Sequence, residues 1–116
     1  SLDIPENFNI RFVGLNDVGL LAHQKSSVQK IASNEAFKLQ REIQDEFSMV
    51  VHLKEHSKGD RERKYSISLR VDAPGQSITV TDYDWRIETA IHKIFENAKN
   101  ALKRKLKGEK SRKKVF

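Results

Sequence analysis

The sequence predicts an α+β fold: a two-layer β-α-β-β-β-α sandwich, with a four-stranded sheet and two helices packed on one face. Three observations lead there. The chain has 116 residues, which suits one domain with one modest core. Four short segments are rich in β-branched and aromatic residues, two of them with clear apolar–polar alternation. Two longer segments instead repeat apolar residues at three- and four-residue spacings.

Taken in order, Phe8 to Val13 reads FNIRFV and places Phe8, Ile10 and Phe12 on one face of a strand. Gly14 to Gly19 breaks the pattern, and Asn16 or Asp17 is the expected cap of the first helix. That helix runs from about Leu20 to Gln44, with a core stripe of Leu21, Val28, Ile31, Ala32, Leu39 and Ile43 and with Ala36 at its edge. Ser33 and Asn34 are poor helix formers and mark the place for a break or kink. Phe47 to His56 is the second strand, followed by a loop at Ser57 to Arg63. Tyr65 to Val71 alternates, with Tyr65, Ile67, Leu69 and Val71 facing the core. Ala73-Pro74-Gly75-Gln76 fits a type II turn, which favours Pro second and Gly third, and Ser77 to Thr81 completes a hairpin. Asp82 or Asp84 caps the final helix, whose stripe is Ile87, Ala90, Ile91, Ile94, Ala98, Leu102 and Leu106. Gly108 is its expected end. Residues 1–107 therefore form the domain, and residues 108–116 form a basic tail expected to be disordered without a partner.

Composition excludes several kinds of chemistry. The chain contains no cysteine, which removes disulfides, thiolate zinc sites and cysteine nucleophiles. No stretch nears the ~20 apolar residues of a membrane span, and the opening SLDIPENF lacks signal-peptide character. The expectation is a cytoplasmic protein that contacts no membrane. His52 and His56 lie four apart on a strand, about 13 Å in extended chain, too far to share a metal. Glu88, His92 and Glu96 line one face of the last helix and read as a solvated charged face. No glycine-rich phosphate loop exists. The sequence therefore predicts no enzyme, no catalytic residues, no metal, no cofactor and no small-molecule substrate. Tyr83 and Trp85 are read mainly as a cover for the end of the core, with base stacking as the other role such residues serve.

The charge is concentrated at one end. Lys99 to Phe116 holds nine basic residues against Glu109 alone, a net +8, while the other 98 residues carry 13 basic and 15 acidic side chains. Such a segment suits a polyanion, although a solubilising tail has the same composition. Lys93, Lys99, Lys103, Arg104, Lys105 and Lys107 leave the apolar stripe of the last helix, as Lys25, Lys30, Lys38 and Arg41 leave that of the first. Two helices side by side would join these ten residues into one basic plate, spaced to neutralise successive phosphates of RNA. Lys58, Arg61, Arg63 and Lys64 would extend it.

The element order, the small size and the helix AIHKIFENAKNALKRKLK from Ala90 to Lys107 resemble the ribosome hibernation-promoting factor / ribosome-associated inhibitor A family. Ala90-Ile91, Ile94, Ala98, Leu102 and the basic Lys103-Arg104-Lys105 occupy that family's pattern, and the likeness covers about Phe8 to Lys107. Arg86 and Glu88 stand where the family often has Asp and Tyr, and the first helix is longer than usual. The resemblance implies a partner, the small ribosomal subunit, bound in the channel for messenger and transfer RNA. It also implies a translationally silent ribosome under stress or in stationary phase. Two other readings stay open. A double-stranded-RNA-binding module shares the α-β-β-β-α core, but lacks the leading strand and carries its basic patch where Asp82, Asp84 and Glu88 stand here. A protein-interaction domain would use the open sheet face.

Overall fold

The computed structural model describes residues 9–43, 47–58 and 62–114, and within these ranges it does not define the side chains of 9, 43, 57–58, 62–63 and 106–114. The elements are β1 (Asn9–Val13), α1 (Ala22–Ile43), β2 (Ser48–Lys58), β3 (Glu62–Ala73), β4 (Gln76–Asp84) and α2 (Ile87–Lys114). They form one mixed sheet in the order β1-β2-β3-β4. β1 runs parallel to β2, a pairing that needs a long crossover, which α1 supplies. β2, β3 and β4 are antiparallel neighbours.

Register explains the core. Met49 stands across from Val71, Val51 from Leu69 and Leu53 from Ile67. Val71 then meets Ile78, and Leu69 meets Val80. These residues share one sheet face because strand side chains alternate. They join Val28, Ala32, Ala36 and Leu39 of α1 and Ile87, Ala90, Ile91, Ile94, Phe95, Ala98 and Leu102 of α2 in a single core. Both helices therefore cover the same face, as the alternation and the helical stripes predict. Ala32, Ala36, Ala90 and Ala98 are wholly buried, and their small side chains let the helices lie close to their neighbours. On the edge strand β1, Ile10 and Phe12 pack on the core while Val13 is 40% exposed. Phe8, Leu106, the Ile43 and Lys107 side chains, Val115, Phe116 and the centre of the loop at 59–61 lie outside what is described.

Several local expectations change. α1 is capped by Leu21 rather than by Asn16 or Asp17. The Leu21 carbonyl accepts from the Gln24 and Lys25 N–H groups at 3.0 Å. The Gln24 side chain reaches back to accept from the Leu21 N–H at 2.8 Å, half of a capping box. Leu21 is consequently 62% exposed, and Leu20 is buried in its place. Asp17 instead belongs to a turn, its N–H donating to the Gly14 carbonyl at 3.1 Å. α1 continues unbroken through Ser33 and Asn34, since burial of Ala32 and Ala36 outweighs weak local propensity. α2 passes Gly108 and ends at Lys114. One glycine in a helix interior costs about 1 kcal/mol relative to Ala, and good helix formers flank it.

Gly14 is required by its surroundings. Its φ is +86°, and a Cβ there would collide with the Leu53 carbonyl oxygen. Gly14→Ala is expected to destabilise the fold by about 2–3 kcal/mol, combining left-handed strain with the displacement of β2. Urea unfolding checks this. Gly75→Ala is the comparison, with φ +79° in the Pro74-Gly75 turn but open space around it, and should cost less.

Candidate nucleic-acid interface

The helices run side by side, and the seam between them is not uniformly basic. Glu35 on α1 forms an ion pair with Lys38 at 3.6 Å and faces His92 Nδ1 of α2 at 3.5 Å. Glu42 pairs with Lys99 at 3.5 Å. A shallow groove of about 200 Å³ along this seam is lined by Glu35, Glu42 and Glu96 as well as Lys38 and Lys99. The continuous plate expected from the sequence is thus divided by three carboxylates, which the same helical spacing brings to the seam.

The predicted basic residues fall into three groups. Lys30, Arg41, Lys103 and Arg104 are exposed and form no ion pair with a described residue. Lys30, Phe37 and Arg41 are seven and four residues apart, so they share the outward side of α1, where Phe37 is 43% exposed. Lys38 keeps 71% of its side-chain surface open despite its contact with Glu35. A second group is engaged within the protein. Lys25 donates to Asn16 Oδ1 at 3.4 Å, and Lys105 donates to the Ser77 carbonyl at 2.7 Å. Lys99 is held by Glu42. Lys93 is the third case, because it sits in a network where β4 meets α2. Its Nζ donates to the Tyr83 carbonyl at 3.0 Å and to Asp84 Oδ2 at 3.1 Å, and lies 3.7 Å from Asp82 Oδ1. Asn97 Nδ2 donates to Asp82 Oδ2 at 2.8 Å.

This network has a defined electrostatic sign. Asp84 is held below the ordinary carboxylate value, first by the Arg86 N–H and then by Lys93. Asp82 is lowered chiefly by the Tyr83 N–H. Lys93 is raised above the usual lysine value, mainly by Asp84. A carboxylate depressed in the folded state contributes stability above its unfolded pKa and loses it as pH falls through the folded value. The wild type should therefore lose stability below about pH 4. Asp84→Asn should be less stable than wild type at pH 7, and the gap should narrow as pH falls from 7 to 3. Urea midpoints at the two pH values measure the closing gap.

The other sheet face has no helix on it. Its rows follow from register: Arg11, Val50, Arg70 and Thr79; then Val13, His52, Ser68 and Thr81; then Lys54, Ser66 and Tyr83. Ser68 and Thr81 share a hydroxyl hydrogen bond at 2.9 Å. Asp72 is lowered by the Ser77 hydroxyl and by Arg70, which binds it through Nε at 3.1 Å. Tyr83 and Trp85 are 49% and 56% exposed, so they do not cover the core. Lys64 Nζ lies 5.1 Å from the Tyr83 ring centroid and 5.8 Å from that of Trp85. From the sequence, this face is assigned only in the protein-interaction alternative, although the same alternation that places Tyr65 and Ile67 inward places Lys64, Ser66, Ser68 and Arg70 outward. Among the described residues no group of three His, Asp or Glu side chains is placed to hold a metal ion. No helix among them is long and apolar enough to cross a membrane.

No family model matches the chain, and no curated relative does. Among solved structures, the chain is similar to the crystal structure of the Thermus thermophilus Protein Y N-terminal domain. The TM-score is 0.59 at 20% identity, covering 84% of this chain and 94% of that one. The likeness is one of fold, and the chain has the β-α-β-β-β-α element order expected from its sequence.

Proposed function

We propose that this domain binds the RNA of the small ribosomal subunit in the channel for messenger and transfer RNA, and so acts as a cytoplasmic hibernation factor. The observation that carries the reading is the outward basic surface of the two helices. Lys30, Lys38 and Arg41 on α1, with Lys103 and Arg104 on α2, project from a fold similar to Protein Y. Lys25, Lys93, Lys99 and Lys105 belong to the proposed interface as its margin, where internal partners would be exchanged for phosphates, and Lys107 is assigned to it from its place in the sequence.

The mode of action is occupancy, without catalysis or cofactor. RNA helices offer phosphates and 2′-hydroxyls on a surface of fixed shape, so a matched array of cations binds without reading sequence. Each phosphate contact releases counterions, and the affinity comes from that release. A bound plug removes the volume and contacts that message and tRNA need. Acidic Asp82, Asp84 and Glu88 at the start of α2 disfavour the double-stranded-RNA-binding reading, which needs cations there.

The test is co-sedimentation with purified ribosomal subunits. The protein should pellet with small subunits in preference to large ones, and message plus initiator tRNA should displace it. Pelleting that is equal for both subunits, or unaffected by message and tRNA, would reject the channel.

A further inference from the structure

We infer that the open sheet face is a second contact surface, which holds an unpaired stretch of RNA with a base stacked on Tyr83 and Trp85. The inference rests on the preceding reading for the nature of the polymer, but on different residues. Tyr83 is the penultimate residue of β4 and lies on the helix-free face, in register with Ser66. Trp85 lies just beyond the end of β4, and Lys64 Nζ lies near both rings, which places the two beside one cation. Large aromatics left this open are the informative kind of surface residue. From α2, Lys93 engages the Tyr83 carbonyl rather than its ring.

Their surroundings select the ligand. Lys64 lies over both rings, marking aromatic faces that accept a cation and are open to a flat partner. A base entering there takes the place of the ammonium, which is then free to meet the phosphate of the same nucleotide. Lys54 lies in the row of Tyr83, and Arg70 and Arg11 lie further along the face. Among the described side chains of this face Asp72 is the one carboxylate, and Arg70 and Ser77 already bind it. Between the rings and the arginines the surface carries the hydroxyls of Ser68 and Thr81. A cationic track with exposed rings at one end and little apolar surface fits a single strand. A protein partner would call for an apolar centre, and a duplex keeps its base faces stacked.

Trp85 is the one tryptophan in the chain, so its fluorescence reports this site directly. The experiment titrates the full chain with an unstructured oligoadenylate of about ten nucleotides, a length that fits single-strand binding sites. Saturable quenching is expected. Tyr83→Ala should weaken binding about 5- to 100-fold, the range for loss of a base–aromatic stack. Lys64→Ala should weaken it and reduce the salt slope by about one contact. Unfolding curves confirm that each variant is folded. The inference is overturned if quenching is absent, if Tyr83→Ala binds as wild type, or if a duplex quenches equally. Equal quenching by oligoglutamate would overturn it too and assign the face to proteins. Absent quenching with intact subunit binding removes only this surface. Quenching without subunit binding supports it and removes the ribosome reading instead.

Discussion

Charge reversal at Arg41, Lys103 and Arg104 is expected to lower affinity for the small subunit by two to three orders of magnitude. Each cation–phosphate contact contributes about 0.7–0.9 of a logarithm per logarithm of salt. At about 0.1 M salt that makes one contact worth roughly five- to eightfold, and three lost contacts compound to the stated range. Repulsion from the new carboxylates adds to it. These three residues are exposed, stand off the core stripes and pair with no described residue, so their reversal leaves the fold intact. Surface changes of this kind usually alter stability by less than about 0.5 kcal/mol. Binding titrations beside urea unfolding separate the two effects. Lys54→Glu, on the opposite sheet face, is the control and should change subunit affinity far less than the triple variant.

The second large effect concerns the fold. Leu69 is fully buried on the central strand β3, flanked in register by Val51 and Val80. Leu69→Ala is expected to cost about 3–4 kcal/mol, from lost transfer energy and from a cavity that the paired strands cannot collapse into. A domain of this size has a total stability of about 5–15 kcal/mol, so the variant would sit near the edge of folding. Leu21→Ala, at a leucine 62% exposed, should stay within about 0.5 kcal/mol. Urea midpoints of the two variants test the contrast, and equal losses would contradict the core assignment.

The elements were legible because their periodicities are unmixed. Alternation at Tyr65, Ile67, Leu69 and Val71 identifies β3, and Ile87, Ala90, Ile91, Ile94 and Ala98 identify α2, before any contact is known. The termini of the helices were not legible in the same way. Leu21 caps α1 because Gln24 can return to its backbone, a local choice that the nearby Asn16 and Asp17 obscure. Gly108 carries the local signal for a helix end, yet α2 continues to Lys114.

The site was legible in composition and less so in arrangement. The excess of positive charge in the last 18 residues is plain from the sequence. Which cations are open to a ligand is not, because Lys93 is tied to Asp82 and Asp84, and Lys99 to Glu42, by contacts between elements. The carboxylates of the helical seam are visible in the sequence, but their alignment depends on how α1 lies against α2. Tyr83 and Trp85 required knowledge of which sheet face the helices leave open.

The salt dependence of small-subunit binding tests the central claim most directly. Lys30, Lys38, Arg41, Lys103 and Arg104 offer five open cations. Logarithmic affinity should then fall with logarithmic salt at a slope of about −3.5 to −4.5, and the triple reversal should make that slope shallower by about two to three. A slope near zero in the wild type, or one that the triple reversal leaves unchanged, would contradict binding of ribosomal RNA through the helix surface.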